Sequence, residues 1–151
     1  ATSTAVQTFK GVIQTDGTLT CKFSNSILGH SYYIGLRHRS ALETWSAAPV
    51  AFSSSVTSYD FSTAITQAYP DPFNTFPQMI EVEAGVWAIY NGDVNQDGTI
   101  DASDFNMMEP DVALGAFGYF NTDITGDGPV DGADFNLLEP NVSYNLFVSH
   151  P

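Results

Sequence analysis

Short runs of apolar residues, or of alternating apolar and polar residues, occupy most of residues 1–90. Val, Ile, Thr, Tyr and Phe dominate these runs, and Gly and Pro separate them, as is typical of short β-strands. The predicted strands cover residues 5–14, 19–23, 32–37, 50–52, 57–61, 80–83 and 86–90. Their number and spacing predict an antiparallel, Ig-like β-sandwich over residues 1–90, and a mainly β protein.

The pattern changes after Tyr90. A stretch rich in Asp and Gly follows over residues 91–141, and no long linker precedes it, so the two parts are expected to pack together. Val142, Tyr144, Leu146 and Val148 then share one parity, which predicts a half-buried strand over residues 142–149. Such a strand must pair with its own chain or with a neighbouring copy. Three units are therefore predicted, at residues 1–90, 91–141 and 142–151.

Charge is distributed unevenly along the 151 residues, which carry a formal net charge of −13. Residues 1–90 hold all four basic residues and six acidic ones, whereas residues 91–151 hold eleven acidic residues and no Lys or Arg. This balance argues against binding to nucleic acid or to an anionic membrane surface, both of which need Lys and Arg. No apolar run approaches the roughly 18 residues of a membrane-spanning helix. A segment this acidic is expected either to stay disordered or to bind cations.

The acidic segment contains an internal duplication with an offset of 30 residues. Residues 93–113 and 123–143 are identical at ten of 21 positions. In each copy, a 12-residue loop that begins with Asp93 or Asp123 is followed by an apolar stretch that predicts a helix. Pro110 and Pro140 are expected to limit these two helices to about two turns each.

The spacing of oxygen-bearing side chains in these loops matches calcium chemistry. Calcium takes about six to eight oxygen ligands, which a 12-residue loop supplies from positions 1, 3, 5, 9 and 12 and from the carbonyl group at position 7. The predicted ligands of the first loop are Asp93, Asn95, Asp97, Asp101, Asp104 and the carbonyl of Thr99. Those of the second loop are Asp123, Thr125, Asp127, Asp131, Asp134 and the carbonyl of Pro129. The sequence therefore predicts two Ca²⁺ ions, which neutralise carboxylates that would otherwise repel each other.

Further features of the repeat bear on these sites. Thr125 stands where the first loop has Asn95, so the second site is expected to be weaker or assisted by water. Ile100 and Val130, at position 8 of the loops, are expected to pack against each other, with Met107 and Met108 in the core beneath.

The duplicated D-x-N-x-D-G-x-I-D-x-x-D pattern, followed each time by an apolar helix, resembles a dockerin module over about residues 93–141. The resemblance implies a secreted bacterial protein, extracellular or on the cell surface, with units of one loop and one helix. Dockerins bind a cohesin partner through loop positions 10 and 11. Here these positions are occupied by Ala102 and Ser103 in the first repeat and by Gly132 and Ala133 in the second.

A second resemblance concerns residues 32–47, Tyr-Tyr-Ile-Gly-Leu-Arg-His-Arg-Ser-Ala-Leu-Glu-Thr-Trp-Ser-Ala. This stretch is similar to the β-sandwich that precedes such loops in surface proteins of Bacteroidetes-like bacteria, where the sandwich begins some strands earlier. The resemblance implies a sandwich that lacks strands and needs a donor, either the arm at residues 1–14 or the strand at 142–149. Donation between copies predicts a head-to-tail filament built by strand complementation, which makes a calcium-stabilised structural protein the favoured function.

Two other functions stand beside assembly and docking to a protein partner. Glycan binding by a carbohydrate-binding module needs an aromatic platform, and the candidate residues are Tyr32, Tyr33, Trp45, Tyr59, Tyr69, Trp87 and Tyr90. Enzymatic activity is not expected, because no nucleophile motif occurs and the three histidines are isolated. The single cysteine, Cys21, alternates with Leu19 and Phe23, which predicts a buried thiol.

Overall fold

The computed structural model describes residues 4–70 and 76–151. This part of the chain contains eight short strands, paired as four two-stranded antiparallel sheets, together with two α-helices. The strands are β1 (Ser31–Tyr32), β2 (Gly35–His38), β3 (Ala41–Trp45), β4 (Val50–Ala51), β5 (Met79–Glu83), β6 (Val86–Ile89), β7 (Thr99–Ile100) and β8 (Leu146–Phe147). The helices are α1 (Ala102–Leu114) and α2 (Gly132–Tyr144), and short 3₁₀ turns lie at Asn25–Ile27 and Ile65–Gln67.

Two hairpins dominate the half of the chain before residue 91. β2 pairs with β3 and β5 pairs with β6, while β1 pairs with β4. The turn between β5 and β6 contains Gly85 at a positive φ of 75°, which a residue without a Cβ adopts freely. A single antiparallel bridge between Ala41 and Asn91 joins β3 to the chain that leaves β6.

The mainly antiparallel architecture with two helices is confirmed, but the Ig-like sandwich is not. Four of the predicted strands correspond to observed ones, at residues 32–37, 50–52, 80–83 and 86–90, although the first is split between β1 and β2. The predictions of strands at residues 5–14, 19–23 and 57–61 are wrong, because these residues are all described and none of them forms a strand. Residues 1–3 of the predicted N-terminal arm lie outside the described residues. β3 was not predicted.

The two helices begin alike and are longer than the sequence predicted. Each has 13 residues, and Pro110 and Pro140 lie inside them instead of ending them. Proline removes one backbone hydrogen bond from a helix, but the turn that follows it here carries Val112 or Val142, which packs against the core. Burial of these valines holds the last turn in helical form, so the prediction of two-turn helices was wrong.

The segments after the two helices cross over to the opposite loops. β8, after α2, pairs with β7 in the first loop, in the register Thr99↔Phe147. Phe117, after α1, forms the corresponding bridge with Pro129 in the second loop. The backbone bonds also correspond: Val148 N donates to Gly98 O and Gly118 N donates to Gly128 O, both at 2.8 Å.

This crossed pairing corrects the prediction of a strand over residues 142–149. Residues 142–144 belong to α2, and only Leu146–Phe147 form a strand. The alternation of apolar residues over 142–149 is present, but α2 continues through the first three of these residues, because Val142 packs against the core from the helix. The strand pairs within its own chain, at the first loop.

One hydrophobic core spans the two halves of the chain. Its buried members are Leu42, Tyr90, Ile100, Met108, Val130, Leu138 and Leu146. Leu42 and Tyr90 come from the β hairpins and the other five from the loops, helices and β8, so the halves pack together as predicted. Met108 is fully buried, but Met107 is 43 % exposed, so only one of the two methionines predicted in the core lies there. Cys21 is exposed, which contradicts its predicted burial.

In the described part of the chain, neither helix has the length and apolar character needed to cross a bilayer.

Candidate calcium-binding loops

The first loop is organised around a buried carboxylate at its end. Asp104 is fully buried and accepts hydrogen bonds from the backbone N–H groups of Val94 (2.9 Å), Asn95 (3.2 Å) and Asp101 (3.0 Å). These bonds tie the start of the loop to the start of α1. Position 12 of the loop therefore closes the loop through backbone donors.

The beginning of the first loop turns around Asp93. This side chain is 2 % exposed, and its two oxygens accept from the N–H groups of Asp97 (3.1 Å) and Gly98 (3.2 Å). Gly98 has a φ of 89°, which explains the glycine at this position. Asn95 joins the same network, since its Nδ2 donates to Asp97 Oδ2 at 2.8 Å.

The second loop repeats this frame with different chemistry at position 3. The fully buried Asp134 accepts from the N–H groups of Thr125 (2.9 Å) and Asp131 (3.0 Å). Asp123, which is 3 % exposed, accepts from Gly126 N at 2.8 Å. The Thr125 hydroxyl lies 3.0 Å from Asp127 Oδ1 and 3.1 Å from Asp134 Oδ1. A threonine hydroxyl thus contacts the loop carboxylates from the position that an amide occupies in the first loop.

Position 9 of each loop caps the helix that follows. Asp101 accepts from Ser103 N, and Asp131 accepts from Ala133 N, both at 2.7 Å. Together with Asp104 and Asp134 they form two capping boxes, in which cap and third helical residue bond each other's backbone. Two predicted ligands of each loop therefore also determine where its helix begins.

Burial and mutual repulsion act on the carboxylates of the first loop. The pKa of Asp93 rises to about 6, chiefly because the side chain is buried and then because the Asp104 charge lies nearby. Burial also raises the pKa of Asp104, against the bonds from backbone N–H groups. In the second loop burial opposes ionisation of Asp134, but hydrogen bonds from Thr125 and Asp131 lower its pKa overall. The first loop thus holds negative charge at a free-energy cost that a bound cation would relieve.

Within the described residues, no three His, Cys, Asp or Glu side chains converge on one point as a metal cluster. The structure brings Asp93, Asn95, Asp97 and Asp104 into one hydrogen-bonded network, and does the same for their four equivalents in the second loop. Thr99 and Pro129, the predicted carbonyl ligands, lie where the crossed segments pair with the loops. All the side-chain donors are hard oxygen atoms on a loop that turns at glycine, and this donor set fits calcium. The individual ligands stay predictions.

Three contacts from the β hairpins reach these loops or the residue just before them, and they were missed from the sequence. Gln96 Nε2 donates to His38 O at 2.7 Å, and Gly92 N donates to Ser40 O at 2.7 Å. Arg39 Nη2 lies 3.7 Å from Asp123 Oδ2. All three involve the turn between β2 and β3. No sequence motif marks this turn; the only signal was that Arg39 is one of just four basic residues.

Five of the aromatic residues predicted for glycan binding make pairwise ring contacts. Tyr32 meets Phe52, Tyr33 meets Tyr69, Trp45 meets His150 and Tyr59 meets Phe61. Tyr90 is buried in the core.

Comparison with known proteins identifies one region of the chain. Residues 91–143 match the Dockerin type I domain family. This match covers both loops and most of both helices, and it supports calcium binding and a docking role for this region. No curated protein and no solved structure matches the chain.

Proposed function

We propose that residues 91–143 form a calcium-dependent docking module that binds a cohesin-like protein partner. The match to the Dockerin type I domain over both loops and helices carries this proposal. Proteins with such domains are extracellular or lie on bacterial cell surfaces, and we propose the same location for this chain. The module itself is of a non-catalytic type, and we propose no enzymatic activity for the chain.

Each loop is proposed to bind one Ca²⁺ ion. The donors are the twelve predicted ligands, and the ion supplies positive charge that lets the buried carboxylates coexist. A loop held in one conformation by the ion also holds the start of its helix in place, because Asp101 and Asp104 belong both to the first loop and to the capping box of α1. Calcium binding therefore stabilises the starts of the helices that present the docking surface.

The docking surface is proposed to be the outward face of α1 and α2. Ala102 and Gly132 are exposed at the first positions of the helices. Met107 and Leu137, which correspond through the 30-residue repeat, are 43 % and 42 % exposed. Exposed apolar side chains at equivalent places give the module two similar faces, either of which can contact a partner.

The head-to-tail filament is not part of this proposal. Its proposed strand donors were residues 1–14 and 142–149; β8 pairs with β7 in the same chain, and no observation supports donation by residues 1–14. Glycan binding is left out as well, because no observation favours it over docking to a protein.

Surface plasmon resonance with an immobilised type I cohesin module tests the proposal. Binding is expected in millimolar calcium and is lost in EDTA. The double variant Met107→Asp with Leu137→Asp should abolish it, whereas Val82→Asp, at an exposed site on β5, should not. Absence of binding to every member of a panel of cohesin modules, in calcium, would refute the docking role.

A further inference from the structure

The two loops share one backbone frame but differ in what faces their first carboxylate. In the first loop both oxygens of Asp93 accept from loop N–H groups, at Asp97 and Gly98. In the second loop Asp123 Oδ1 accepts from Gly126 N, and Oδ2 faces the guanidinium of Arg39. Among the ion pairs of the described residues, none reaches Asp93. The side chain of Arg39, which lies outside the repeat, therefore makes the second loop differ from the first.

Arg39 lies beside the second loop. It lies in the turn between β2 and β3, its side chain is 16 % exposed, and its Nη2 is 3.7 Å from Asp123 Oδ2. The guanidinium carbon also lies 4.6 Å from the centre of the Tyr119 ring, in a cation–π contact. Nη1 is buried and has no hydrogen-bond partner among the described residues. The guanidinium therefore relies on Asp123 and Tyr119 for its stabilisation.

We propose that Arg39 determines the calcium affinity of the second loop by competing with the ion for Asp123. A calcium ion bound by Asp123 would stand close to a guanidinium that cannot lose its charge, and the two cations repel each other in a partly buried setting. In the described part of the chain, no basic side chain forms an ion pair with a carboxylate of the first loop; Arg37 lines the same cavity as Asp93 and Asp97 but is paired with Glu43. This inference rests on the proposed binding of one ion by each loop.

The competition also couples the second loop to the rest of the chain. Without calcium, Arg39 neutralises part of the charge on Asp123 and fastens the β2–β3 turn to the module. With calcium bound, that contact weakens, while the hydrogen bonds from Gln96 to His38 and from Gly92 to Ser40 remain. Calcium binding at the second loop is therefore expected to loosen the packing of the β2–β3 turn against Asp123 and Tyr119.

Calcium titration by isothermal calorimetry tests this assignment on the full chain and on Arg39→Gln. We expect two unequal sites in the unchanged chain, and about tenfold tighter binding at the weaker site in the variant, in line with removal of one close charge. Asp127→Asn, which removes a second-loop ligand, identifies the weaker site. Lys22→Gln is the control, because Lys22 is exposed and forms no ion pair with either loop among the described residues. It should change either affinity less than about twofold, since solvent and salt screen an exposed charge outside the loops.

Thermal denaturation without calcium gives a second readout. Arg39→Gln should unfold at a lower temperature than the unchanged chain in EDTA, and the difference should shrink in saturating calcium. Two ions bound with unchanged affinities in Arg39→Gln would overturn the role of Arg39 and leave the calcium loops intact. Absence of calcium binding in every variant would instead refute the proposed function itself. Binding of a second ion only after the Arg39→Gln change would support the competition in its strongest form.

Discussion

Replacing Asp93 by Asn should have opposite consequences with and without calcium. Asp93 is almost completely buried, and its pKa of about 6 lies above the ordinary value of 3.8 because of burial and the Asp104 charge. A carboxyl group with a raised pKa costs stability once the pH exceeds its unfolded pKa, and the full cost is reached above its folded pKa. At pH 7 the calcium-free chain therefore carries a destabilising charge that Asn removes.

The expected size follows from the shift and from the hydrogen bonds. A rise from 3.8 to about 6 corresponds to at most about 3 kcal/mol at pH 7. Asn keeps one acceptor oxygen for the N–H groups of Asp97 and Gly98 but loses the other, which costs about 1 kcal/mol. A net stabilisation of about 1–2 kcal/mol remains, which for a chain of this length raises the melting temperature by about 2–8 °C.

Differential scanning calorimetry in EDTA and in millimolar calcium measures both effects. In EDTA at pH 7 the Asp93→Asn variant should melt above the unchanged chain, and the gap should close near pH 4, where Asp93 is protonated. Addition of calcium should stabilise the variant far less, because a ligand has been lost. Asp97→Asn is the control: its carboxylate is exposed and raises the pKa of Asp93 and Asp104 less than burial does, so this variant should lose calcium stabilisation with a smaller gain in EDTA than Asp93→Asn.

A lower melting temperature of Asp93→Asn in EDTA at pH 7 would refute the reasoning, because it would mean that the lost acceptor outweighs the removed charge. A gap that stays the same from pH 7 to pH 4 would contradict it as well, since the effect would then not come from ionisation.

Three other outcomes follow from the structure. Leu146→Ala should lower the free energy of unfolding, measured by urea denaturation, by about 2–5 kcal/mol, because Leu146 is fully buried in the core. Phe147→Ala should lower it much less, because the side chain of Phe147 is 37 % exposed. Pro110→Ala should stabilise the chain by about 1–2 kcal/mol, because it restores a backbone N–H inside α1. Thermal denaturation followed by circular dichroism at 222 nm should show a higher melting temperature, and a lower one would contradict this. Gln96 has a φ of 62°, in the left-handed region. Gln96→Gly should be about 1 kcal/mol more stable than Gln96→Ala in the same denaturation, because both variants lose the hydrogen bond to His38 but only glycine adopts this backbone without strain. Equal stabilities of the two variants would exclude that strain.

The loops were largely predictable, because their geometry depends on residues close together in sequence. The Asp spacing that predicts oxygen ligands also places Asp101 and Asp104 as a capping box, and position 6 needs a glycine. Helix length was not predictable by the same reasoning, since tertiary burial of Val112 and Val142 outweighs the local effect of proline.

The failures elsewhere concern partners that lie far apart in sequence. β8 pairs with the first loop between Ile100 and Leu146, two residues that no local pattern connects. The alternating pattern at residues 142–149 shows that a strand is favoured but does not show which edge receives it. In the same way, the apolar runs at residues 5–23 have strand-like composition but form no strand, and Cys21 lies exposed among them. Arg39 contacts a loop far along the chain, and nothing local in its own hairpin indicates that contact.

The crossed pairing of the two repeats has a consequence for how such a module could arise and be shortened. One repeat alone would leave its loop edge unpaired, and the segment after its helix would have no strand to join. Two separate copies of a repeat would complete both pairings if they were related by a two-fold axis. The module therefore has the arrangement of a symmetric dimer joined into one chain. A fragment that ends at residue 143 would contain every proposed ligand, yet it would lack Leu146 and Phe147, and the loop left open would be the one farthest away in sequence, at Thr99 and Ile100.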